Sequence, residues 1–166
     1  MIGLDTNVLV RYVTQDDPVQ SAKASQLIES LTAASPGFVS LVTLTELVWV
    51  LQSCYQSAKS DVVTVLETLL HTRELTVEHA DIIWQALRKF TASKADFADC
   101  LIERCGHAAG CEYTATFDLH AAKAAGMKVV VVPNQFTKKQ DFSLADARVG
   151  TLAHIDVPSI SYLFQK

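Results

Sequence analysis

The sequence is short of everything that builds a non-globular chain. Glycine occurs 6 times and proline 4 times in 166 residues, without a period, which excludes a collagen-like or low-complexity polymer. Long apolar runs are missing too: the most apolar stretch, Phe38 to Leu51, is broken by Ser40, Thr43, Thr45 and Glu46, short of the ~20 residues a bilayer span needs. No basic region precedes the opening apolar residues, since Asp5 follows directly on Met1 to Leu4 and no cleavage pattern comes after it. A secretory leader is not expected, and a soluble, cytoplasmic protein without a membrane is. Positive charge is not in excess either: 14 basic against 18 acidic residues leave a formal charge of −4, so a nucleic-acid partner would need a local patch or bridging metal ions. Cysteines are few. Cys100, Cys105, His107 and Cys111 offer zinc-type donors, but helical spacing scatters them around the axis, and reduced thiols are the simpler reading.

What remains is a chain with 49% hydrophobic and 19% charged residues, enough to bury one core. Short β-like runs alternate with helical ones, the pattern of an α/β fold with a mostly parallel sheet covered by helices. Strands are predicted at Ile2 to Leu4, Phe38 to Leu41, Glu74 to Val77, Tyr113 to Thr116 and Val129 to Val132. Between them, Asp16 or Asp17 with Pro18 starts a helix, and Gly110 and Gly126 end two others. Ala98, Leu101, Ile102, Cys105 and Ala109 are predicted to face inward from the helix over Asp96 to Ala109, and Trp49 and Trp84 are predicted to be buried. After Pro133 the periodicity fades, so residues 1–133 read as the domain and 134–166 as an extension of unknown role, with a candidate edge strand near Ile160 to Leu163.

Carboxylates fall where elements begin or end. Asp5 closes the first strand, Asp118 follows the strand ending at Thr116, and Glu46 opens the helix after the second strand. In an open parallel sheet the ligand crevice lies beyond the C-terminal strand ends, so all three point to one rim. Asp96, Asp99 and Glu103 share a helix face, and if it turns to that rim, four or five carboxylates converge. Each has a structural alternative. Thr43-x-x-Glu46 matches a capping box, Asp118 could cap a helix, and Asp96 and Asp99 could line a solvated acidic face. Asp5 resists this treatment, because an acid directly after an apolar strand is costly unless paired or metal-bound. Converging carboxylates repel and must take up protons or a cation, and oxygen-only donors suit Mg²⁺ or Mn²⁺. Such ions promote phosphodiester hydrolysis, and neutralising Asp5, Glu46, Asp99 and Asp118 would cancel the formal charge.

In order along the chain, Ile2-Gly3-Leu4-Asp5-Thr6-Asn7-Val8-Leu9-Val10, Thr45-Glu46-Leu47, Asp96-Phe97-Ala98-Asp99-Cys100-Leu101-Ile102 and Thr116-Phe117-Asp118 resemble the four acidic motifs of PIN-domain ribonucleases, most closely the VapC-type toxins of bacterial toxin–antitoxin pairs. The resemblance implies a three-layer α/β/α domain with a five-stranded, mostly parallel sheet. It also implies metal held by Asp5, Glu46, Asp99 and Asp118 and polar support from Thr6, Asn7, Asp96 and Thr116. A homodimer, an RNA substrate and a cognate antitoxin follow as expectations. Two other readings stand beside a Mg²⁺- or Mn²⁺-dependent ribonuclease. One is a non-catalytic PIN-like interaction module; the other is a haloacid-dehalogenase-type phosphotransferase using Asp5, which the absence of a second acid at Asn7 disfavours.

Overall fold

The computed structural model describes residues 1–116, 118–133 and 141–151. It divides into two compact units, Met1–Leu87 and Arg88–Lys166. The predicted edge strand near Ile160 to Leu163 lies outside the described residues, as does Phe117. Among the described residues no helix is long and apolar enough to cross a membrane.

The first unit runs β1 (Ile2–Gly3), α1 (Thr6–Thr14), α2 (Pro18–Glu29), β2 (Gly37–Val39), α3 (Leu41–Ser53), α4 (Lys59–His71) and β3 (Leu75–Val77), then enters α5 (Ala80–Ala92). β2 lies between β1 and β3 with every pairing parallel, Ile2 against Gly37 and Gly37 against Leu75. Parallel neighbours need a crossover, and the helices supply it. Gly37 is required at the head of the central strand. A Cβ there would stand 2.7 Å from Leu4 Cδ1 and 2.9 Å from Leu31 Cδ1, so the missing side chain lets two buried leucines close over the sheet. Asp17 caps α2 by accepting from the amides of Val19 and Gln20, with Pro18 at the first helical position as the sequence predicts. Leu9, Val39, Leu44, Leu47, Val62 and Leu66 are fully buried and form the apolar centre.

The second unit continues α5 into α6 (Phe97–Ala108), β4 (Ala115–Thr116), α7 (Leu119–Ala125), β5 (Lys128–Val131) and β6 (Ala147–Arg148). Its sheet has the order β4-β5-β6, again all parallel. The α/β class with parallel strands is as predicted, but among the described residues the strands form two three-stranded sheets where the family resemblance implies one of five. β6 was not foreseen, because two residues carry no period. A side chain fixes its register: Asp146 Oδ2 accepts from the Val129 amide at 2.9 Å and Oδ1 lies 3.6 Å from Lys128 Nζ. The backbone hydrogen bond from Val129 in particular holds the Asp146 carboxyl below its ordinary range.

Of the residues predicted to face inward from α6, Leu101 is buried, Ala98 and Cys105 are half-buried, and Ile102 and Ala109 are exposed. Phe97, Cys100 and Leu101 are buried and Ile102 is 55% exposed. Phe97 packs edge-to-face on Phe90, ring centroids 5.8 Å apart, and this contact sets the rotation of the helix. Glu103 is buried with it. Lys89 Nζ donates to its Oε2 at 2.6 Å and the Arg104 guanidinium bridges both of its oxygens, so Glu103 is a structural ion pair and not part of an acidic face.

Burial alone would raise the Glu103 carboxyl, but the hydrogen bonds and charges of Arg104 and Lys89 outweigh it and hold it below the glutamate range. A carboxylate lowered in the folded state stabilises above its unfolded pKa and loses that contribution as pH falls through the folded value. Glu103→Gln should therefore cost about 1–3 kcal/mol at neutral pH. The gap between parent and variant should close in acid, which thermal melts at the two pH values will read.

Candidate functional site

The first unit assembles Asp5, Thr6, Asn7 and Glu46. Asp5 is the N-cap of α1, with extended backbone (φ −81°, ψ 155°), and its Oδ2 accepts from the Asn7 amide at 3.1 Å. The side chain is exposed. Contrary to expectation, Asp5 therefore bears no burial cost, and helix capping accounts for one of its oxygens. Asn7 supports Asp5 through its main chain, which any residue but proline could do.

Thr6 does more. It is 6% exposed, and its Oγ1 donates to Glu46 Oε2 at 2.6 Å, joining the first turn of α1 to the second turn of α3 across 40 residues of sequence. The capping-box reading of Glu46 is thereby corrected. α3 begins two residues before Thr43, its N-cap is Ser40, whose Oγ accepts from the Thr43 amide at 3.1 Å, and Glu46 lies beyond the first turn. Glu78 is a further participant that the sequence reading passed over. Its Oε2 accepts from the Leu41 amide at 2.8 Å, placing negative charge at the positive end of α3. The signal was available, since Glu78 follows β3 as Asp5 follows the apolar residues of β1.

The second unit assembles Asp96, Asp99, Thr116 and Asp118. Asp96 caps α6, accepting from the Asp99 amide at 2.7 Å, so its structural alternative is what the fold uses. Asp118 stands just before α7. Its amide donates to Thr116 Oγ1 at 3.0 Å and its carbonyl accepts from Ala122, so Thr116 positions Asp118 through the backbone. Asp99 is half-buried, and burial first, then the charges of Asp96 and Asp118, push its carboxyl above the ordinary aspartate range. Among the described residues no Lys or Arg pairs with Asp5, Glu46, Asp96 or Asp99.

Two basic residues, Arg11 and Lys128, are engaged with carboxylates. Arg11 Nη1 pairs with Asp16 at 2.5 Å, Tyr55 Oη donates to the same carboxylate at 2.6 Å, and Lys128 faces Asp146. α6 buries Cys100 while leaving His107 exposed, so the thiol and imidazole point apart. No three His, Cys, Asp or Glu side chains among the described residues stand close enough to share a metal ion. Taken by itself, each unit carries two of the candidate carboxylates, Asp5 and Glu46 in the first and Asp99 and Asp118 in the second. Carboxylate oxygens, one of them in a half-buried group without countercharge, fit a hard divalent cation better than zinc or copper.

Without metal, the charge at Asp99 works against folding. Asp99→Asn removes it while keeping shape, so in chelator the variant should melt higher than the parent by an amount equivalent to about 0.5–1 kcal/mol. A lower melting temperature would show that Asp99 is electrostatically compensated after all.

The sequence pattern of the PIN domain matches residues 2–127, a span that holds Asp5, Glu46, Asp99 and Asp118. The chain is also similar to a VapC ribonuclease of Aquifex aeolicus (strain VF5), with 29% identity over 100 residues that make up 59% of this chain and 73% of that protein. Matched from β1 to the residue before β5, the chain belongs to the PIN domain family.

Proposed function

We propose that the protein is a metal-dependent endoribonuclease that hydrolyses single-stranded RNA, a toxin restrained by a cognate antitoxin and working in the cytoplasm as a homodimer. The observation that carries this reading is the family match, whose span contains all four carboxylates in motif order. The relative's printed description as a VapC ribonuclease supports the substrate class. Residues 1–133 form the nuclease in this proposal, and residues 134–166 an extension to it.

Asp5, Glu46, Asp99 and Asp118 would hold Mg²⁺ or Mn²⁺, which supplies Lewis-acid polarisation of a phosphodiester and charge stabilisation for the leaving oxygen. The chain's own part is preorganisation. Thr6 keeps Glu46 in one orientation by donating to Oε2, which leaves Oε1 for a ligand. The α1 amide of Asn7 occupies Oδ2 of Asp5, which leaves Oδ1. Thr116 fixes the backbone of Asp118 at the start of α7. Asp99, raised by burial first and then by its acidic neighbours, is a group whose ionisation a nearby cation would favour.

Asp5→Asn, Glu46→Gln and Asp99→Asn should each lower cleavage of single-stranded RNA at least about 100-fold. Thr6→Val, which removes only the orienting bond, should lower it about 10–100-fold. Chelator should abolish cleavage, and products should end in 5′-phosphate and 3′-hydroxyl, because the RNA's 2′-hydroxyl is not the nucleophile. Cleavage that persists in chelator, or 2′,3′-cyclic phosphate ends, would overturn the reading.

A further inference from the structure

The helix that carries Glu46 also carries an aromatic residue where a core helix should not. α3 is apolar almost all round, and Leu44, Leu47, Val48 and Leu51 are buried as such a sequence demands. Trp49, predicted to be buried with them, is instead 62% exposed, and Val42 is 76% exposed. With 3.6 residues per turn, Val42, Glu46 and Trp49 fall within an arc of about 60° on the solvent side. Trp49 is one turn beyond Glu46, about 4.5 Å along the axis. Helical side chains lean toward the N-terminus, so the surface covered by the Trp49 indole is the turn that presents Glu46.

From this juxtaposition we propose that Trp49 is the base-stacking platform for the nucleotide next to the scissile phosphate. The proposal rests on the ribonuclease reading and adds to it the residue that holds the strand. An exposed indole offers a flat face to any base, and base–aromatic stacking contributes about 1–3 kcal/mol per base without sequence preference. That suits a chain whose formal charge of −4 gives no general attraction for RNA. A second copy of the chain is the competing occupant of this face. The centres of protein interfaces are depleted of charge, however, whereas here a carboxylate sits between the two apolar residues. A nucleotide explains the mixture: its base meets the indole and its phosphate belongs beside Glu46 and a bound cation.

The chain has 2 tryptophans, Trp49 and Trp84, so Trp84→Phe leaves Trp49 as the sole indole and keeps an aromatic ring against His71. In that background, Asp99→Asn with Mg²⁺ prevents turnover, and a short oligoadenylate should quench the Trp49 emission as it binds. Separately, Trp49→Ala should raise KM for RNA cleavage about 10–100-fold with kcat little changed. Trp49→Tyr should restore most of the loss, which a purely structural role would not allow. Normal cleavage by Trp49→Ala, or absent quenching, would overturn the platform while leaving the ribonuclease reading intact. A parent protein that neither binds nor cuts RNA would overturn both. If Trp49→Ala changes only the oligomeric state in light scattering, the face belongs to a second copy and the proposal fails.

Discussion

One hydrogen bond, from the buried hydroxyl of Thr6 to Glu46, decides how the first half of the chain can act. Glu46 is an exposed side chain with several rotatable bonds, and left alone it would sample many orientations in water. Thr6 is buried and β-branched, hence stiff, and it lends that stiffness to the carboxylate. The bond is only as good as the placement of α1 against α3, and other contacts set that placement. At the far end of α1, Arg11 joins Asp16, and Asp16 accepts from Tyr55 just after α3. At the near end, Ser40 and Glu78 fix where α3 begins. Glu46 is thus oriented by residues drawn from α1 through to the turn after β3, few of which carry chemistry of their own.

Helix capping and cation binding are compatible uses of one carboxylate. Asp5 and Asp96 both cap helices, the role that would ordinarily dismiss them as site residues. A cap uses one oxygen in one direction, and a carboxylate has two oxygens with several lone pairs. Capping also anchors the side chain to a helix end, so that the remaining oxygen is presented in a fixed place. The fold obtains rigidity from the same group that it exposes.

Much of this was legible in sequence, and the reasons for the rest are specific. The alternation of strands and helices, Asp17 with Pro18, and the helix ends at Gly110 and Gly126, whose φ values of 85° and 72° need glycine, follow from local chemistry. So does the α/β class, while the three-layer α/β/α fold came with the family resemblance and is the fold of the family that matches. Where two local signals compete, sequence loses. Thr43-x-x-Glu46 imitates a capping box, yet Ser40 captures the role because Glu78, distant in sequence, secures the preceding turn. α3 has too little amphipathic contrast to show which side Trp49 takes, and β6 is two residues whose pairing depends on Asp146. Around the acids, the supports expected from sequence do touch them, Thr6 on Glu46, Asn7 on Asp5, Asp96 on Asp99 and Thr116 on Asp118, while Glu78 at the start of α3 has no local signal of its contact with Leu41.

The contrast between Asp99 and Glu103 shows how environment assigns work to identical chemistry. They lie one turn apart on α6 and both lose solvent, yet their carboxyls move in opposite directions. Glu103 meets Lys89 and Arg104, so its charge is neutralised and it serves the fold. Asp99 meets Asp96 and Asp118, and its charge is left uncompensated among the described residues. A helix assembled only for stability would place a cation beside Asp99 as well. That it does not is the kind of local inconsistency proteins keep where a ligand completes the structure. The deficit at Asp99 is matched in sign to a cation, and Glu103 shows that the same helix can supply countercharge.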